Sequence, residues 1–199
     1  MIRLFTAVAA LWLAAGGLAA GERDFILRVQ SVPNAWTTDG LEDALVTRLT
    51  RDQSIRVIVV DPGDPAYPPF PNASLDLDSL TNWGVERGGR YLLSLVVKSQ
   101  RIERRKSFHL PLVFHKWETV GVLEGEYRFV DLRRGRLLAG DRFTTELPAK
   151  RVFQATMDDN KYDPDIHLRP DEKGMLFAKL YDESARQLLE LTAQFTGGR

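Results

Sequence analysis

Alternation of apolar and polar positions is clearest between Val120 and Phe143. Leu123, Tyr127 and Phe129 share one parity, while Glu124, Glu126 and Arg128 share the other, as in a strand with one buried face. Asp131 to Gly135 is a polar break, and Arg136 to Phe143 resumes an extended pattern, so the stretch predicts a hairpin. Gly135 is the residue there that takes φ > 0 without steric cost.

Upstream, Phe25 to Val32 (FILRVQSV) reads as a strand ended by Pro33-Asn34. Asp39 and Glu42 have capping-box spacing, and Leu41, Ala44, Leu45 and Leu49 recur at helical intervals, predicting a helix from Leu41 to Arg51. Ile55 to Val60 is a continuous β-branched run, expected as a strand buried on both faces and parallel to the first across the helical crossover. Asp61 to Pro71 is a proline-rich loop. A short helix through Leu77, Leu80, Trp83 and Val85 follows, closed by Gly88-Gly89.

Arg90 to Lys98 is apolar on both parities and is expected as a central strand. Ser99 to Lys106 (SQRIERRK) reads as a charged hairpin turn. Phe108 to Phe114 alternates again, but Pro111 marks it as an edge strand or a bulge. Thr144 to Arg169 is polar and irregular, expected as a solvent-facing loop. The chain then runs into its longest helix, Asp171 to about Phe195, with Phe177, Leu180, Ser184, Leu188, Leu191 and Phe195 as the packing stripe. Together these elements predict an α+β (or α/β) sandwich: a mixed sheet of about five to six strands, helices mainly on one face, and a long C-terminal helix.

Composition narrows the chemistry. The 199 residues are 44% hydrophobic and 27% charged, enough for one domain with its own core, expected over residues 22–199. Lys plus Arg (27) equals Asp plus Glu (27), so no net field favours nucleic acid. There is no cysteine, which excludes disulfides, thiolate chemistry and lipid attachment at an N-terminal cysteine. Residues 1–21 look like a cleavable signal peptide: Arg3, an Ala- and Leu-rich run from Leu4 to Ala15, then small residues around Ala19 to Gly21. The run is shorter than the roughly 20 apolar residues that span a bilayer, so export to the periplasm without a stable membrane span is expected.

Candidate chemistry is sparse. His109 and His115 stand too far apart along a strand to share a metal, and His167 has no evident partner. The acids Asp158, Asp159, Asp163 and Asp165 lack EF-hand spacing. No nucleophile motif or phosphate-cradling loop occurs, so no catalytic residue, metal or cofactor is expected. Two groups remain as candidate partner contacts. Arg101, Arg104, Arg105 and Lys106 form a basic run that is either an anionic-partner patch or a solvated turn; Tyr67 and Phe70 are either exposed contacts or pins for the proline-rich loop. In both cases the plainer alternative is favoured.

The strand FILRVQSV, the helix LEDALVTRL, the strand IRVIVVD, the segment NWGVERGGRYLLSLVV and the hairpin YRFVDLRRGRLLAGDRF resemble the CsgG-like superfamily. That group contains the curli secretion lipoprotein, the penicillin-binding-protein activator lipoprotein and the N-terminal domain of TolB. Val130-Asp131 and Gly135-Arg136-Leu137-Leu138 match its hairpin. The resemblance implies a non-catalytic periplasmic accessory domain that binds another envelope protein. Two departures limit it: there is no lipobox cysteine, and no pore-forming insertion of the curli type. The alternatives are a small-molecule or glycan binder using a pocket between the proline-rich loop and the sheet, and, last, a hydrolase with a dispersed carboxylate pair.

Overall fold

The computed structural model describes residues 24–31, 39–51, 55–68, 77–110, 114–155 and 167–196. The expected signal peptide, Phe70, Pro111 and the acids Asp158, Asp159, Asp163 and Asp165 lie outside them. Five strands and three helices follow one another as β1 (Asp24–Ser31), α1 (Asp39–Leu49), β2 (Arg56–Val59), α2 (Leu77–Glu86), β3 (Tyr91–Leu110), β4 (Phe114–Asp131), β5 (Arg136–Ala155) and α3 (Pro170–Thr196). The strands form one mixed sheet in the order β2-β1-β3-β4-β5. β1 is parallel to both β2 and β3, and β3, β4 and β5 are antiparallel neighbours.

The helix positions follow from this order. The chain steps outward from β1 to β2, then back across β1 to β3. Two crossovers of one hand in opposite directions must leave the sheet on opposite faces. Accordingly, Leu41, Leu45 and Leu49 of α1 pack with Phe25, Leu27 and Val29, whereas Leu80 and Trp83 of α2 pack with Ile26 and Leu92. Leu180, Ala185 and Leu188 of α3 join the α1 side. There Arg48 donates to both carboxylate oxygens of Asp182 at 2.8 and 2.7 Å, tying α1 to α3. One face therefore carries two helices, and the other is covered by α2 at one end.

Three local expectations are corrected. β2 is not buried on both faces: it is the sheet's edge, Val57 and Ile58 touch the two cores, and Val59 is exposed. A run of β-branched residues reads alike in a central strand and in an edge strand with a core on either side. Ser99 to Lys106 is not a turn but part of β3, and Thr144 to Ala155 is not loop but the second half of β5. The first lies behind a bulge and the second contains one. The β3–β4 register slips between Val97 and Ser99, leaving Lys98 as the extra residue; the β4–β5 register slips between Thr119 and Val120, leaving Ala149. A bulge flips the parity of everything beyond it, so alternation counted along the sequence breaks where the strand does not. Before the slip Leu93, Leu95 and Val97 face the helices. After it Gln100 and Ile102 do: Tyr181 of α3 donates to Gln100 Oε1 at 2.9 Å, and Ile102 packs on the α1–α3 core.

The β4–β5 turn is built as the sequence indicates. Gly135 has φ +56°, and Asp131 Oδ1 accepts from the N–H groups of Arg133 and Arg134 at 3.1 and 3.2 Å. Leu132 is fully buried against α2, where Gly84 supplies the room: a Cβ at residue 84 would sit 2.8 Å from Leu132 Cδ2.

Candidate functional site

The half of the sheet that α2 leaves open carries a pocket of about 430 Å³. Strand alternation selects its floor: Arg28 and Gln30 from β1, Ser94 and Val96 from β3, Glu126 and Arg128 from β4, with the bulged Lys98 at the side. Register aligns these into rows. Arg28 pairs with Ser94 and Ser94 with Arg128, so two arginines flank one hydroxyl across three strands. Gln30, Val96 and Glu126 form the next row.

The proline-rich segment forms the wall through Pro62, Gly63, Asp64 and Tyr67. It is ordered by its own side chains. Asp61 Oδ1 accepts from Gly63 N at 2.7 Å, and Asp64 Oδ1 from Ala66 N at 2.9 Å. Arg87 of α2 pairs with Asp64 at 2.7 Å. The Ala66 N–H, together with that guanidinium, holds the Asp64 carboxyl below its usual range. Tyr67 is buried, lies edge-on to Trp83 with centroids 5.0 Å apart, and directs its hydroxyl to Ser94 Oγ at 3.4 Å. Burial pushes the Tyr67 phenol up to about 12.

Arg28 is the unusual residue. It is 6% exposed, in the middle of a strand and flanked by the buried Leu27 and Val29. Its Nη2 donates to the Pro62 carbonyl at 2.8 Å, and its guanidinium lies 4.1 Å from the Tyr67 ring centroid. Its buried Nε has no hydrogen-bond partner, and no carboxylate comes within ion-pair distance among the described residues. Burial pulls its pKa down, while Tyr67 and Asp64 pull the other way. Buried cations are ordinarily paired. This one is lodged by a carbonyl and a ring at the edge of a cavity, leaving a donor without an acceptor.

The basic run falls elsewhere, and the alternation divides it. Arg101 and Arg105 point to the open face. There Arg101 bonds Glu103 and Glu124 at 2.5 and 2.7 Å, and Arg105 bonds Glu103 and Glu146 at 2.6 and 2.7 Å. Because β4 lies between β3 and β5, the Arg105–Glu146 bridge crosses it above Val120, which is buried. Arg104 and Lys106 take the helix face. Arg104 Nη2 lies 2.5 Å from His167 Nδ1, and the Lys106 ammonium sits 5.4 Å from the Trp117 ring centroid. Four consecutive-looking cations therefore do not make one patch, and two of them are shared among three glutamates. Of the aromatic pair, Tyr67 belongs to the pocket wall and the α2-side core.

Arg28, Ser94 and Arg128 were not among the sequence candidates. The available signal was a lone Arg in FILRVQSV and a lone Ser in RYLLSLVVK, each interrupting an apolar strand. Only the register places them side by side. Among the described residues no cluster of acids or histidines has the makings of a metal site, and no helix is long and apolar enough to cross a membrane.

No protein-family model matches the chain, and no curated protein matches it by sequence. Solved structures do resemble it. The hypothetical protein CT253 from Chlamydia trachomatis superposes with a TM-score of 0.50 at 10% identity, covering 83% of this chain and 95% of that one. The minor lipoprotein from Acinetobacter baumannii gives 0.44 at 14% identity, over 87% and 94%. The rare lipoprotein B from Shewanella oneidensis gives 0.40 at 13%, over 86% and 96%. At such identities likeness speaks to fold alone, and the last two scores are too low to carry an argument. The chain shares the α+β fold of CT253 over most of its length.

Proposed function

We propose that this protein is a non-catalytic accessory module of the cell envelope, one that binds another envelope component through the open face of its sheet. The observation that carries the reading is the shape of that face. α2 and the proline-rich segment cover one end of it, and the remaining strands form a concave floor whose polar side chains converge on a pocket. The apolar leader-like start and the CsgG-like hairpin support an exported protein, and the hairpin supports the accessory role that the resemblance implies.

Site-specific photo-crosslinking tests this in the native envelope. A crosslinker replacing exposed Lys98, beside the pocket, is expected to trap one envelope protein. The same group replacing exposed Lys179 on the outer surface of α3 is expected to trap none. Equal adducts from both positions, or none from Lys98, would sink the protein-partner reading.

A second reading has its own observation. The buried Arg28 beside the cavity, with no ion pair among the described residues, favours a small molecule held in the pocket itself.

A further inference from the structure

We propose that the Arg28–Ser94–Arg128 row binds the carboxylate of a small hydroxylated acid, of the sugar-acid class. The inference rests on the small-molecule reading of the pocket and adds to it a charge and a chemical class.

Register fixes the row, with Arg28 opposite Ser94 and Ser94 opposite Arg128. Adjacent strands are about 4.8 Å apart, so the two arginine backbones stand about 10 Å from each other. Long side chains from such positions can converge on one anion above the central serine. Arg28 supplies the second, independent observation. It is nine-tenths buried, it lines the cavity, and its Nε–H has no acceptor among the described residues. Its Nη2 is already committed to the Pro62 carbonyl, which holds the guanidinium plane in place. Nε itself is closed to solvent, so a carboxylate in the cavity would act on the buried guanidinium as the counter-charge it lacks, not as an acceptor for Nε–H.

The rest of the pocket selects within anions. Asp64 and Glu126 also line it, and each has a cationic neighbour: Arg87 at 2.7 Å for Asp64, and Lys98 at 3.7 Å for Glu126. The lone pairs those ion pairs leave over can accept from hydroxyl groups, which a hydroxylated acid carries in number and inorganic phosphate does not. Gln30, Ser94 and Glu126 offer donors and acceptors suited to hydroxyl groups.

Thermal unfolding and calorimetric titration with sodium glucuronate test the proposal, with glucose and inorganic phosphate as controls at matched ionic strength. Glucuronate is expected to raise Tm and to give a saturable isotherm, glucose and phosphate much weaker ones. Arg28→Met is expected to weaken glucuronate binding at least about tenfold, the scale of a lost charge-assisted hydrogen bond. If that variant does not fold, the Arg28 Nε–H resonance of the wild-type protein serves instead, and it is expected to shift on titration. No response to glucuronate, an unshifted resonance, or undiminished binding by Arg28→Met overturns the proposal, as does tighter binding of phosphate. Equal binding of glucose overturns the anion claim while leaving the small-molecule reading of the pocket standing.

Discussion

Tyr67 shows at the scale of one residue how a proline-rich loop is held to a sheet. Its ring lies between the Trp83 edge and the Arg28 guanidinium, and its hydroxyl reaches Ser94. Burial favours the neutral phenol and raises its pKa from 10.0 to about 12. The sign follows directly. Below the unfolded value Tyr67 is protonated in both states and its contribution is complete. As the pH rises towards about 12, the unfolded chain ionises first and stability is lost. Wild-type protein should therefore lose stability in this alkaline window, and Tyr67→Phe should lose less. Denaturant midpoints measured across the window check this, and parallel curves for the two proteins would refute it. Tyr67 itself was legible as a candidate, because an aromatic in a proline-rich stretch stands out. Arg28 was not. A lone arginine in a strand looks like any solvent-facing residue until the loop that covers it is in place.

Among the elements, the β4–β5 hairpin is where local sequence is most decisive. Asp131 and Gly135 act within a few residues of each other: a carboxylate caps two N–H groups, and a glycine takes φ +56°. An alanine at residue 135 would have to enter the left-handed region, at a cost of about 1–2 kcal/mol. Gly135→Ala should lower stability by about that amount with an unchanged denaturant slope, and an unaltered midpoint would show that the turn relaxes. The far halves of β3 and β5 were illegible for a converse reason. The SQRIERRK segment lies beyond a slip in register at Lys98 and the TTELPAKR segment contains one at Ala149, and a slip is a relation between two strands, not a property of either. α3 shows a milder form. Of the expected stripe, Phe177, Leu180, Ser184 and Leu188 are buried as their spacing indicates. Further on it is Thr192 that turns inward, leaving Leu191 and Phe195 exposed, although Phe195 still reaches Phe129 with centroids 6.4 Å apart.

Across the whole molecule, charges from three strands are knitted over β4. Hydrogen bonds from Arg101 and Arg105 hold Glu103 below its usual pKa, with Arg101 the larger influence. Arg101 does the same to Glu124, and Arg105 to Glu146. All five groups are in contact with solvent, so each pair is expected to contribute little, and less in high salt. Arg105→Glu sets a third carboxylate beside Glu103 and Glu146 and should lower Tm. Adding Glu146→Arg should recover part of the loss, because the swapped bridge still crosses β4. A double-mutant cycle at low and high salt measures this coupling, and a cycle that closes to zero would mean that the bridge contributes nothing. Reversing Arg101, Arg104 and Arg105 together would disturb the sheet's own ion pairs as well as any partner contact.

The sequence by itself determined which stretches are strands and which are helices wherever a pattern repeats without interruption: β1, α1, the first halves of β3 and β5, the β4–β5 turn and α3. These depend on periodicity and turn chemistry, which act between near neighbours. Strand order, the placement of α2 opposite α1, the edge position of β2 and the bulges at Lys98 and Ala149 were decided by the tertiary structure, through pairing between segments distant in the chain. The pocket belongs to that second group. Arg28, Ser94 and Arg128 lie far apart in sequence, and parallel pairing of β1 with β3 and antiparallel pairing of β3 with β4 bring them into one row.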